Sequence, residues 1–528
     1  MAATRSVTLD GLAGRPIEVE VDVSSGLPTT VVVGLADTVV SEARDRVRAA
    51  VVNSGTAWPD QRVTINLAPS TLPKTGSHYD LAIGLAVFVA KGLVPPDAIG
   101  ATAFLGELAL DGRLRAVRGV LPATLAAAEA GFERVVVPES NVAEARLAGR
   151  GLEVVGVRSL RQVVAWLCGE EIPDEPEVPP LEDVATGSAW GDTERTSRLD
   201  LADVAGQEDA RTALVVAAAG AHHLLMTGPP GIGKTMLAQR LPGLLPDLSH
   251  DQALEVSALH SLAGVLPSDA PLVRRPPFVD PHHTASAVAV VGGGQRGIRP
   301  GALSVAHRGV LFLDEAPEFA ANVLDALRQP LESGRVVVSR AAQTASFPAR
   351  FQLVLAANPC PCGYAGAVGE RCDCTPLMRR RYRDRISGPV RDRIDIHQEL
   401  TAPARPELAH HLVQRRGTAE VAPRIERARA RQIARYAGTP WHTNADVPGV
   451  ELRRHWPAEP EAMRHVESQL RDQRLSARSA DRVLRVAWSV CDLRGTDRPD
   501  VDDVQAAVSL RRGGGAGAVL RDVVEAAS

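Results

Sequence analysis

Residues 228 to 235 read "GPPGIGKT", a Gly-x-x-x-x-Gly-Lys-Thr spacing between the apolar "HLLMT" and the helix-forming "MLAQRL". A strand, a Gly-rich turn and a helix start aim several backbone N–H groups at one point, which suits phosphate oxygens. Gly228, Pro229, Pro230, Gly231, Ile232 and Gly233 would form the cradle. Lys234 would reach the β and γ phosphates, and the Thr235 hydroxyl would ligate Mg²⁺. Further on, "GVLFLDE" is an apolar strand ending in Asp314 and Glu315. The first carboxylate suits the Mg²⁺ shell and the second can polarise an attacking water. An apolar run ending in Asp-Glu is common by itself. Joined to the phosphate loop, it points to ATP hydrolysis. The next strand, "FQLVLAANP", ends at Asn358, a polar side chain placed to orient the lytic water. Arg393 in "GPVRDRIDIH" and Arg478 in "LSARSADRVLRVA" follow, and only their order after the nucleotide motifs sets them apart from solvated arginines.

Four of the six cysteines crowd into "NPCPCGYAGAVGERCDCTP": Cys360, Cys362, Cys372 and Cys374. Two close pairs on a folded-back loop can offer four thiolates to Zn²⁺ in tetrahedral geometry. The C-x-C spacing is tighter than the usual two to four intervening residues, so free thiols and a redox switch stay open beside zinc. A zinc here would staple the loop that follows Asn358, a structural role. Cys168 and Cys491 sit in apolar helical contexts and are expected in the core.

The elements that hold these residues belong to a chain of 528 residues, long enough for several domains. Hydrophobic content of 45% and charged content of 23% fit a globular protein. The start, Met-Ala-Ala-Thr-Arg, lacks a signal-peptide core, and no apolar run reaches the roughly 20 residues needed to span a bilayer. The expectation is a cytoplasmic protein with no membrane partner and with reduced cysteines. A net charge of −4 gives no general attraction to nucleic acid. Of the basic residues only Lys74, Lys91 and Lys234 are lysines, and Lys234 falls in the phosphate loop, where a compact ammonium differs from a guanidinium fork.

Residues 170–194 are acidic and proline-rich with no Lys or Arg, a composition that cannot bury a core. A linker over 170–198 therefore separates an α/β domain at 1–169 from a P-loop core at 199–400. The cysteine insertion spans 360–374, and a helical lid fills 401–528. In the first part "IEVEVDV", "RVTINL" and "RVVVP" read as strands, "DLAIGLAVFVAKG" and "LPATLAAAEAGF" as helices. In the last part "PRIERARARQIARYAG" and "SARSADRVLRVAWSVCDL" are amphipathic helices. The fold class is α/β, with a parallel sheet in the P-loop core.

The order of these motifs resembles an AAA+ ATPase. The wording "DVAGQEDARTAL", "DPHHTAS", "VGGG", "RPGALSVAHRGVLFLDEAPEF", "LRQPLESG", "ANPCPCG" and "SGPVRDRID" resembles the YifB/ComM family of magnesium-chelatase-like ATPases over nearly the whole chain. The resemblance implies ATP and Mg²⁺ as cofactors and a homo-hexameric ring on single-stranded or branched DNA. It also implies branch migration during recombination or natural transformation. A protein-remodelling ATPase of the magnesium-chelatase kind is the alternative. By the same resemblance Asn358 is sensor 1, Arg393 the trans-acting arginine finger and Arg478 sensor 2. Arg391, two residues before Arg393, is a second finger candidate.

The N-terminal part resembles the Lon-protease-like fold through "LPKTGSHYDLAIGLA". His78 stands where the nucleophilic serine belongs, with Ser77 one place earlier, and "RGVLPATLAAA" lacks the partner lysine, so peptidase activity is not expected. Lys74 is expected at the surface. Finally, "SGRVVVSRAAQTASFPARFQL" reads as a β-hairpin carrying Arg335, Arg340 and Arg350, which the family resemblance turns toward the ring's pore. The basic run "RRRYRDR" at Arg379–Arg385 is a further candidate for phosphate contact.

Overall fold

The computed structural model describes residues 1–34, 38–72, 74, 76–149, 151–179, 195–196, 198–294, 297–340, 343–366, 372–401 and 416–520. Half of the expected linker, the first residues of the expected lid and the hairpin tip at 341–342 lie outside the described residues.

The N-terminal part opens with a four-stranded sheet in the order Ala2–Asp10, Ala13–Ser24, Arg62–Ala68, Thr29–Val33. The first three strands pair antiparallel and the last pair is parallel. Along the second strand Ile17, Val19 and Val21 are buried while Glu18 is exposed, so the period-two pattern sets which face meets the core. That face receives the helix Asp80–Ala90, buried from Leu81 through Val89 because those residues are apolar on every side, while buried Asp80 is paired with Arg46. A three-stranded parallel sheet, with Arg134–Pro138 between Thr102–Phe104 and Glu153–Val157, completes this part.

Central to function is a five-stranded, all-parallel sheet in the order Phe278–Val279, Val310–Leu313, Gln352–Ala357, Leu224–Thr227, Ile396–Glu399. Its inner strands, "VLFL", "QLVLAA" and "LLMT", are short unbroken apolar runs. They are buried almost throughout, as parallel strands covered on both faces require. Parallel pairing sends every strand's carboxyl end to one edge. With Leu313 opposite Leu355 and Thr227 opposite Ala357, the residues that follow, Asp314, Asn358 and Gly228, meet there. Sites in open α/β sheets form beyond such an edge.

After the phosphate loop the helix is brief, Lys234–Ala238, and resumes at Leu241–Leu244. Pro242 explains the break, since it cannot donate to the carbonyl of Ala238 four residues back. The C-terminal helices include Thr418–Arg435, Gly449–His455, Pro460–Arg471, Ala477–Arg494 and Val501–Arg511. They share one apolar cluster with the helix Glu208–Gly220 and the central sheet. Polar ties reinforce it. Buried His222 meets Ser489 Oγ at 2.7 Å, and Arg482 donates to buried Asp395 at 2.6 Å. The glycine run at 513–515 reaches the sheet's edge, where the Gly513 carbonyl accepts from the Glu399 N–H.

The N-terminal part touches the P-loop core through the helix Val120–Glu129, which lies on the helix His250–Ala263. Buried Glu144 accepts from the Ser261 hydroxyl and from the Leu121 N–H. Leu12, at a hairpin turn, packs with Leu259, Ala345 and Phe347.

Two sequence expectations change. Lys74 is fully buried rather than at the surface, because its ammonium donates to the Pro69 carbonyl within the fold. Cys491 is a core residue, but Cys168 is only partly buried, lying at the end of the helix Leu160–Cys168.

Candidate nucleotide site and cysteine cluster

Gly231 and Gly233 take φ of +75° and +101°, values that permit the tight turn and favour glycine. The turn wraps Lys234, whose Nζ donates to the carbonyls of Gly228 at 2.7 Å and Pro229 at 2.9 Å, and to Asn358 Oδ1 at 3.0 Å. Burial lowers the Lys234 pKa against the opposing pull of Asp314 and Glu315. Thr235 Oγ1 donates to Asp314 Oδ2 at 2.6 Å, the two oxygens expected to share Mg²⁺. The phosphate loop, the strand Val310–Leu313 before Asp314 (the expected Walker B strand) and the strand Gln352–Ala357 before Asn358 (the expected sensor strand) thus converge at one edge of the sheet.

Glu315 adopts a left-handed φ of +50°, a conformation costly for a side chain other than glycine and concentrated at functional sites. Its carboxylate lies 3.4 Å from His283 Nδ1. His283 was not singled out by motif reasoning, although "DPHHTAS" follows the edge strand Phe278–Val279 directly. Asp280, in the same segment, is a second omission. Burial, then the neighbouring Asp314, pushes its carboxyl pKa up. The only signal for either was a run of polar residues at a strand's carboxyl end.

Arg393 and Arg478 stand apart from the phosphate loop of their own chain. Both line a cleft of about 1070 Å³ with Arg482 and Arg485, and its wall includes His223, Gly309 and Gln352. Those three lie at the amino ends of the strands, opposite the edge where Asp314 and Asn358 sit. Arg393 is held by Glu332 and by the Pro389 carbonyl at 2.5 Å. Burial, then Arg482, Arg478 and Arg328, lowers its pKa. These arginines share the cleft with the carboxylates of Asp247, Glu332, Asp392, Glu426 and Asp446. Arg391 turns elsewhere, to Asp384 at 3.5 Å.

Cys360, Cys362, Cys372 and Cys374 bring four Sγ atoms within 4.8 Å of one another. Three of their separations are 3.3, 3.5 and 3.6 Å. A Zn–S bond of about 2.3 Å implies a tetrahedral edge of roughly 3.8 Å, so the donor set fits zinc. Hydrogen bonding from the Tyr364 N–H, then from Cys360, draws the Cys362 thiol pKa down to about 6, while the Cys372 and Cys374 thiols shift upward.

In the N-terminal part Ser77 donates to Glu107, and half-buried His78 places its Nε2 3.0 Å from the Val7 carbonyl. Burial holds His78 down at about 4, hence neutral. Hairpin strands Arg335–Arg340 and Gln343–Pro348 pair antiparallel as expected, with Arg335 exposed and donating to Ser346 Oγ. The helix Pro376–Asp384 carries most of the basic run, but Arg385 is engaged with Glu318 and the Pro317 carbonyl. Among the described residues no helix is long and apolar enough to cross a membrane.

Comparison with known proteins agrees with this arrangement. Residues 200–408 match the family model "Magnesium chelatase, subunit ChlI", residues 19–141 "Subunit ChlI of Mg-chelatase", and residues 415–511 "Magnesium chelatase, subunit ChlI C-terminal". An uncharacterised protein of Mycobacterium tuberculosis is 49% identical over 96% of this chain and 98% of its own length. The uncharacterised protein YifB of Escherichia coli is 41% identical over 95% of each chain. The competence protein ComM of Haemophilus influenzae is 39% identical over 92% of each. With the phosphate loop, the sensor strand beside it and near full-length similarity in hand, the chain belongs to the YifB/ComM family of magnesium-chelatase-like AAA+ ATPases.

Proposed function

We propose that the protein hydrolyses Mg·ATP in a homo-hexameric ring and uses the energy to move on DNA, as a branch-migration motor in recombination or natural transformation. One observation carries the ring reading. The phosphate loop lies at the carboxyl edge of the central sheet, whereas Arg393 and Arg478 lie in a cleft at the opposite end. A neighbour's γ-phosphate entering that cleft would complete both sites at once. In this reading Lys234 and the loop N–H groups hold the phosphates, and Thr235 and Asp314 hold the Mg²⁺ that would neutralise developing charge. Glu315 takes the proton of the attacking water, which Asn358 orients.

The DNA reading is supported by the similarity to a competence protein and by Arg335, exposed on a hairpin whose other face is packed. Guanidinium groups repeated around a ring contact phosphates without reading bases. ATP turnover is therefore expected to rise with single-stranded, duplex or branched DNA at low salt, and binding is expected to fall steeply as salt rises. Arg340→Ala should lower the DNA-stimulated rate more than the basal rate. Turnover indifferent to all three DNAs would instead favour remodelling of a protein partner, the reading that the magnesium-chelatase matches support.

The cysteine quartet is read as a zinc site. The purified, freshly reduced protein should carry about one zinc per chain by elemental analysis. A metal-free result would leave four thiols. The N-terminal part is read as an assembly or DNA-contact module without peptidase chemistry, since His78 stands at the nucleophile's position and "RGVLPATLAAA" has no lysine.

A further inference from the structure

The cysteine loop does more than follow the sensor strand. It begins two residues after Asn358, whose Oδ1 accepts from Lys234 at 3.0 Å. Cys360 is fully buried, and its carbonyl accepts from the Gly363 N–H at 2.9 Å, which makes a tight turn. At Gly363 φ is +88°, and a Cβ there would stand 2.7 Å from both Cδ and Cγ of Pro230. Only a glycine lets the turn lie this close to the phosphate loop.

The loop's other end is equally committed. Cys374 is buried, and Thr375 caps the helix Pro376–Asp384 by accepting from the Met378 N–H. That helix delivers buried Tyr382, and just beyond it Arg385 donates to the Pro317 carbonyl at 2.9 Å and to Glu318 at 3.0 Å. The short turn Ala316–Glu318 directly follows Glu315. Four sulfurs therefore sit where chain from the sensor strand, the phosphate loop and the Walker B turn come together.

We propose that the metal held by Cys360, Cys362, Cys372 and Cys374 positions the nucleotide site, so that metal and nucleotide stabilise each other's binding. The proposal rests on the zinc and ATP readings above. With the metal in place, the Gly363 turn backs Pro230 and keeps Asn358 against Lys234. Without it, the four sulfurs have no common anchor, the turn is no longer pinned, and the phosphate loop loses its support on that side. Cys360 and Gly363 act as positioning residues, since neither reaches the phosphates except through Pro230 and Asn358.

Coupling of this kind is reciprocal, so it can be read from either ligand. The first measurement uses the full chain with its zinc content established. Zinc transfer to a chromogenic chelator is followed in Mg²⁺ buffer, with and without saturating ATPγS. Nucleotide is expected to slow the transfer by about fivefold or more. Equal rates in a zinc-loaded chain would overturn the coupling and leave the zinc and ATP readings standing.

The second measurement removes zinc, clears the chelator and titrates a fluorescent ATP analogue. Affinity should fall by about fivefold or more and return when zinc alone is restored. The third uses Gly363→Ala, which keeps all four thiols and should keep its zinc while binding nucleotide more weakly. A zinc-replete Gly363→Ala chain with wild-type nucleotide affinity would count against the proposal. Were that variant unable to fold, the wild-type transfer rates still decide. A wild-type chain without zinc would overturn both this inference and the zinc reading, while ATP turnover would remain to be scored by itself.

Discussion

Glu315→Gln is expected to bind ATP as tightly as the unaltered chain and to lower turnover roughly 10²- to 10⁴-fold, the usual worth of a positioned general base. The amide keeps the side chain's size but cannot accept the proton of the attacking water. Its carboxylate sits at the carboxyl edge of the sheet, one residue beyond the Asp314 that meets Thr235. Lys234→Ala should fail earlier, at binding, because the β and γ phosphates lose their main cation. Equilibrium binding with a fluorescent ATP analogue and phosphate release together separate the two defects. Wild-type turnover by the Glu315→Gln protein would show that another group activates the water, and Asp280 and His283 would then be the first to examine.

Arg393→Ala should leave ATP binding nearly intact and reduce hydrolysis by about 10³-fold or more, the scale of arginine-finger loss in related phosphoryl-transfer systems. The reason is placement. Arg393 shares a cleft with Arg478 and Arg482, three cations gathered at the end of the sheet remote from their own phosphate loop. Arg482 is paired with Asp395, which leaves Arg393 and Arg478 to meet an incoming triphosphate. Glu332 occupies Arg393 here and would have to release it as a neighbour's γ-phosphate arrives. Mixing inactive Arg393→Ala subunits with inactive Lys234→Ala subunits should restore part of the activity. At some interfaces an intact phosphate loop then faces an intact finger. Arg391→Ala should have a small effect, given its contact with Asp384. If Arg391→Ala showed the collapse while Arg393→Ala did not, the finger would lie two residues earlier.

The nucleotide motifs were legible because their chemistry is local. A phosphate loop needs a strand, glycines at the turn and a helix start in continuous chain, so "GPPGIGKT" declares itself, with Gly231 and Gly233 at positive φ as the turn demands. Apolar runs such as "VLFL" and "QLVLAA" likewise announce buried parallel strands, since both faces need covering. The hairpin at 335–348 was readable from two strand-like arms around a short turn. The crowding of four cysteines was readable too, although their spacing left zinc, free thiols and a redox switch open.

What the chain alone left undecided depends on residues far apart in sequence. The sheet order puts the sensor strand between the phosphate-loop and Walker B strands, and only that order brings Asn358 to Lys234. Lys74 looked like a surface lysine because composition carries no record of the carbonyl that receives it. His283 became a partner of Glu315 when an edge strand with a two-residue pairing came alongside Val310 and Leu311. Arg393 and Arg478, 85 positions apart in the numbering, share a cleft because Asp395 and Ser489 tie the C-terminal helix Ala477–Arg494 to the core through Arg482 and His222. The local sequence determined which chemistry the residues possess, since side-chain type and backbone preference are properties of short stretches. The tertiary structure decided which groups meet, because packing and strand order, unlike motif spacing, are set by burial over the whole chain.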